Sequence, residues 1–144
     1  MRVDFYQLSE TPVEGALPAL AAKMREAGAK VLVVSADDAQ LGRISEALWA
    51  PKGSFLAHGA AGGPDDARQP ILLSDTFDAP NAATFLALAD GKWRDEAEQF
   101  ERVFLLFDGS TIEGARGTWR KLDGREDIER NYWQQTDKGW ERKA

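Results

Sequence analysis

The stretches Lys30-Val31-Leu32-Val33-Val34-Ser35 and Arg102-Val103-Phe104-Leu105-Leu106-Phe107 decide the fold. Each holds an unbroken apolar run of strand length, without the alternation of a half-exposed strand. Such runs suit strands covered on both faces, as in a parallel sheet. The segment Val3–Leu8 reads the same way. Pro70–Ser74 is a fourth candidate, with Ile71-Leu72-Leu73 behind a proline that a strand tolerates at its first position.

Working outward, the segments between these runs carry helical spacing. Glu14–Ala27 places Leu17, Leu20, Ala21 and Met24 on one face, and Gly28 supplies a stop. Asp37–Trp49 repeats the pattern with Leu41, Ile44, Ala47 and Leu48, and ends before Pro51. Asn81–Leu88 reads as a shorter helix before Gly91. Ser110–Leu122 opens on Ser110 and Glu113, the spacing of a capping box. Residues 59–68, rich in Gly and Pro, read as an exposed loop, and Asn131–Gln135 as a possible last strand. Alternating strands and helices predict one α/β domain over residues 1–144. It has three layers: a mostly parallel central sheet with helices on both faces, in Rossmann-like topology.

Composition narrows the chemistry. The 144 residues include one histidine and no cysteine, which excludes disulfides, thiolate nucleophiles and zinc–thiolate centres. The only imidazole available for catalysis is His58. No basic leader with an apolar run opens the chain, and no apolar stretch reaches membrane-spanning length, so a cytoplasmic protein without a membrane role is expected. The net charge of −6 disfavours direct nucleic-acid binding, which needs cations at the phosphates. That charge is uneven. Residues 1–109 carry 10 basic and 17 acidic side chains, whereas residues 110–144 carry 8 and 7. An acidic partner meets least repulsion at the last quarter.

Two constellations suggest ligand chemistry and lack its key parts. The glycine-rich Gly59-Ala60-Ala61-Gly62-Gly63-Pro64 has no Lys or hydroxyl anchor and is followed by two aspartates, so it lacks the features of a phosphate cradle. Asp37, Asp38, Asp75 and Asp108 follow predicted strand ends, where open α/β sheets hold ligands. A small nucleotide- or metal-dependent phosphotransferase using Asp37, Asp75 or Asp108 is therefore the rival reading. Asp37 also reads as a helix cap and Asp108-Gly109 as a turn. No catalytic residue, cofactor or metal site is expected.

The helix over Ser110–Leu122 is more informative. Ile112, Ala115, Trp119 and Leu122 form its buried stripe, and Arg116 and Arg120 lie four apart on the neighbouring face. Two guanidinium groups beside an indole can grip a carboxylate and accept an apolar ring. A second surface surrounds the Pro51–Gly53 turn, where Trp49 and Phe55 are candidate interface anchors next to His58.

Several motifs, in order along the chain, resemble the chi-subunit family of bacterial DNA polymerase III. They are Phe5-Tyr6-Gln7-Leu8; Glu46-Ala47-Leu48-Trp49 followed by Ser54-Phe55-Leu56-Ala57-His58; Gln69-Pro70-Ile71-Leu72-Leu73; Phe107-Asp108-Gly109; Ala115-Arg116 with Trp119; Tyr132-Trp133-Gln134-Gln135; and Gly139-Trp140-Glu141. The resemblance implies a non-catalytic clamp-loader accessory subunit with a nucleotide-type fold and no nucleotide site. It further implies binding of the acidic, Phe-ended C-terminal tail of single-stranded-DNA-binding protein. By position, Arg116 would pair with carboxylates and Trp119 would wall the Phe pocket. Arg120 would add charge, and Leu105 would form the pocket floor. Trp49, Phe55 and His58 would face the psi subunit or another clamp-loader component, and DNA would be reached only through the partner. Where some relatives carry a lysine one turn before the arginine, this chain has Ile112.

Overall fold

The computed structural model describes residues 1–49 and 56–144 of the chain. In order, these residues form β1 (Arg2–Gln7), α1 (Val13–Glu26), β2 (Val31–Val34), α2 (Asp38–Trp49) and β3 (Gly59–Ala60). There follow β4 (Ile71–Ser74), β5 (Phe85–Leu88), β6 (Arg102–Phe107), α3 (Ile112–Lys121), β7 (Glu129–Thr136) and β8 (Gly139–Arg142). The strands build one sheet in the order β3-β4-β2-β5-β6-β1-β7-β8. Every neighbouring pair is parallel except the β7–β8 hairpin.

Side-chain alternation explains the three layers, because successive residues of a strand face opposite ways. Tyr6, Val31, Val33, Leu73 and Leu106 meet Leu17, Leu20 and Met24 of α1 and Ile44 and Leu48 of α2. Phe5, Leu32, Val34, Leu86, Leu105 and Phe107 form the opposite core with Ala115 of α3, Leu122, Ala97 and Phe100. The expected α/β fold, with a mostly parallel sheet covered on both faces, is the one found.

Three local expectations are corrected. The segment expected as a helix over Asn81–Leu88 contains β5, a central strand between β2 and β6. Asn81 is fully buried and spends its amide on the carbonyls of Val31 and Gln69, at 3.3 and 3.0 Å. Anchored there, Phe85-Leu86-Ala87-Leu88 gains a neighbour on each side, and tertiary pairing overrides the helical preference of Leu and Ala. The capping box also does not form. The Ser110 hydroxyl donates to Asp108 Oδ1 at 2.6 Å, and Glu113 pairs with Arg116 at 3.0 Å. In addition, the loop expected over 59–68 begins with the two-residue strand β3.

A buried aspartate with two partly exposed arginines ties the centre of the sheet to its C-terminal hairpin. Asp4, with no exposed surface, accepts from Arg102 Nε at 2.9 Å and Trp133 Nε1 at 3.1 Å, and lies 3.2 Å from Arg2 Nε. These contacts join β6, β1 and β7 where their backbones already pair.

Candidate functional site

The site is built on α3. The turn before it is held by Asp108, whose carboxylate accepts from the Ser110 backbone at 2.8 Å as well as from its hydroxyl. These bonds, led by the hydroxyl, keep the Asp108 carboxyl below the usual carboxylate range. A carboxylate of the chain's own thus occupies the turn that leads into α3. From there α3 buries Ala115 and Thr118 against the sheet and turns Arg116 and Arg120 to solvent.

Trp119 is half-buried within an aromatic group. Its ring centre lies 5.1 Å from that of Phe5 and 5.6 Å from that of Tyr132, both edge-to-face. Phe107 completes the group, 6.5 Å from Phe5 and 5.8 Å from Tyr132. Edge-to-face contacts fix ring orientation because positive ring edges meet negative faces. Arg130 of β7 lies over the Trp119 ring with its guanidinium carbon 4.0 Å from the centroid. The Tyr132 hydroxyl donates to Gln7 Oε1 at 2.5 Å. Burial pushes the Tyr132 phenol up from its ordinary range, and the Arg116 charge pulls the other way.

Of the expected residues on this face, Arg116, Trp119 and Arg120 share α3, and Leu105 lies wholly buried in the core beneath it. Phe5, Gln7, Arg130 and Tyr132 were not foreseen as part of the site. Phe5 and Tyr132 stand in segments that carried the family resemblance, and period-two alternation along paired strands puts both on one face. Arg130 has no local sequence signal, because its partner lies eleven residues back across a helix end and a turn.

On the second surface, Trp49 is 60% exposed, with its ring 5.3 Å from the His58 ring. His58 bridges the Leu56 carbonyl at 2.8 Å and the Ser45 hydroxyl at 2.9 Å, which fixes the imidazole against α2. Trp49 and His58 are thus brought together, whereas Phe55 lies outside the described residues.

Of the carboxylates of the rival reading, Asp75 stands apart from the other two. Asp37 and Asp108 line one crevice of about 330 Å³ together with Asp90, while Asp75 lines other hollows. Those in the crevice are committed to local partners. Asp37 accepts from the Ala39 amide at 3.0 Å. Burial opposes the Asp90 charge, but the Arg94 guanidinium and the Ala36 and Lys92 amides outweigh it and hold that carboxyl below its usual range. Among the described residues, no three His or acidic side chains converge to hold a metal, and no helix is long and apolar enough to cross a membrane.

A comparison with curated proteins finds no match. The family model of the DNA polymerase III chi subunit, HolC, matches residues 1–127 of the 144. The chain therefore belongs to the DNA polymerase III chi subunit family, a family of accessory subunits of the replicative polymerase.

Proposed function

We propose that this chain is a non-catalytic adaptor in the cytoplasm that binds the acidic, Phe-ended C-terminal tail of single-stranded-DNA-binding protein through α3. The carrying observation is the solvent face of that helix, where Arg116 and Arg120 stand one turn apart beside the braced Trp119. In this reading Arg116 takes a carboxylate in bidentate fashion, exchanging its exposed i,i+3 partner Glu113 for the ligand. Such surface pairs are worth only about 0–1 kcal/mol, so the exchange is cheap. Trp119 walls the aromatic residue, and Leu105 supports the pocket from the core beneath.

The Trp49 and His58 surface, with Phe55, faces psi or another clamp-loader component. The adaptor thereby links the clamp loader to the protein that coats single-stranded DNA, and it touches DNA only indirectly. The overall charge of −6 supports this division, because it opposes direct contact with phosphate.

Sedimentation of the full chain with intact single-stranded-DNA-binding protein, and with a form lacking its tail, tests the reading. Co-sedimentation with the intact form alone is expected. Equal co-sedimentation with the truncated form would overturn the assignment to the tail.

A further inference from the structure

On the flank of α3 turned away from Trp119 lies a groove of about 560 Å³, within the range of ~300–1,000 Å³ usual for ligand sites. Its α3 bank is formed by Gly114, Gly117 and Thr118, its facing wall by Trp93, and Lys92 and Lys121 border it. Gly114 is in the first turn of a ten-residue helix and Gly117 in its body, where glycine costs about 1 kcal/mol relative to alanine. Neither has a positive φ, and a Cβ built at either would meet nothing within 4 Å. Packing and backbone geometry therefore do not require glycine at either place. What the glycines do is leave the bank bare, so that a side chain from outside can lie between the helix backbone and the Trp93 ring.

The charge around the groove identifies the occupant. Lys92 and Lys121 are exposed, and Lys121 pairs with the exposed Asp95 at 2.9 Å. Arg116 and Arg120 lie on the adjoining crest of the same helix. Four cations on one helix and its border, in a chain of net charge −6, complement an acidic peptide.

We propose that this groove is a second subsite for the same acidic tail, taking an apolar side chain upstream of the terminal residue; this rests on the reading that Arg116 binds the terminal carboxylate. A helix is about 10 Å across, and an extended peptide advances about 3.3 Å per residue. The occupant is therefore the apolar residue about three positions before the carboxyl terminus, and the acidic residues flanking it meet Lys92 and Lys121.

The test uses the full chain and two peptides, one spanning about ten residues of an acidic Phe-ended tail and one holding only its last two. Gly117→Leu fills the groove, and because leucine favours helix over glycine it leaves the melting temperature unchanged or raised. It should weaken the long peptide about tenfold, the worth of one buried apolar side chain, and leave the short peptide unchanged. Lys92→Glu should likewise weaken only the long peptide, whereas Arg116→Ala should weaken both. If Gly117→Leu and Lys92→Glu bind the long peptide as wild type while Arg116→Ala does not, the groove proposal falls and the proposed function stands. If wild type binds neither peptide, the proposed function fails, and the groove proposal with it.

Discussion

Arg130 covers the ring of Trp119 and also binds that residue's own backbone: Nη1 donates to the Trp119 carbonyl at 2.6 Å while the guanidinium carbon lies 4.0 Å from the ring centroid. Its other nitrogen, Nη2, donates to Asp123 at 2.8 Å. One side chain thus caps the C-terminal end of α3 with a cation, which the helix dipole favours, and fixes the indole beside Arg116. Arg130 and Tyr132 lie beyond the segment matched by the family model, so the C-terminal hairpin supplies a wall to the proposed site, whose two exposed helix arginines lie within that segment.

Arg130→Ala should therefore lower stability by about 1–3 kcal/mol, combining a charge-assisted hydrogen bond with a cation–π contact. It should also shift the Trp emission, since the covered face of Trp119 becomes wetter. Urea unfolding followed by fluorescence checks both. Arg130→Lys should recover only part of the loss, because an ammonium cannot serve Asp123, the carbonyl and the ring with one planar fork.

The hairpin is fastened at its other end by Gln135. Its Oε1 accepts from the backbone amides of Ser9, Glu10 and Thr11 at 3.0–3.2 Å, and its Nε2 donates to Thr11 Oγ1 at 2.9 Å. Gln135→Leu should cost about 1 kcal/mol, since water can satisfy these exposed amides in its place. The sharper readout is local: amide exchange at residues 9–11 should accelerate while exchange in β1 stays slow.

Asp4 is the residue the sheet tolerates losing least. Asp4→Ala removes, from a fully buried position, a partner of Arg102 and the acceptor of the Trp133 indole, and leaves Arg2 with Glu129 alone, at 3.6 Å. Both arginines reach solvent, so the cost is that of the lost charge-assisted hydrogen bonds, about 2–3 kcal/mol, and the variant should unfold at lower denaturant. Near-wild-type stability would show that the cluster contributes little.

Tyr6 sets a limit at alkaline pH. Burial, seconded by the neighbouring Asp4 charge, raises its phenol to about 12 from an ordinary 10.0. Because the folded chain holds this proton more tightly than the unfolded chain, its contribution is complete below pH 10 and is lost as pH climbs through about 12. Stability should fall by about 2–3 kcal/mol across that window. Urea midpoints against pH should show a smaller decline in Tyr6→Phe, and parallel curves for the two proteins would contradict the account.

The layered fold was legible because apolar runs such as Val31–Val34 and Val103–Phe107 have one reading in an α/β chain. The strand Phe85–Leu88 was not, because Phe-Leu-Ala-Leu suits helix and strand alike. What decides between them is Asn81, whose amide reaches two carbonyls belonging to other parts of the fold. The α3 face of the candidate site was legible from the i,i+4 arginines, since helical spacing is a local property. Its β7 face was hidden because Tyr132 meets Phe5 and Gln7 only through parallel pairing of strands more than a hundred residues apart, and Arg130 meets Trp119 only across a helix end and a turn. Residues that a site borrows across a sheet leave no periodic trace in any one segment.

The central claim is that Arg116 and its helix hold an acidic peptide ending in Phe, and a calorimetric titration of such a peptide tests it most directly. Wild type should bind with micromolar affinity, about 8 kcal/mol, and more weakly as salt rises. Arg116→Ala should lose about tenfold or more, the worth of a charge-assisted hydrogen bond. Binding to Arg116→Ala equal to that of wild type, or no binding to either, would contradict the account.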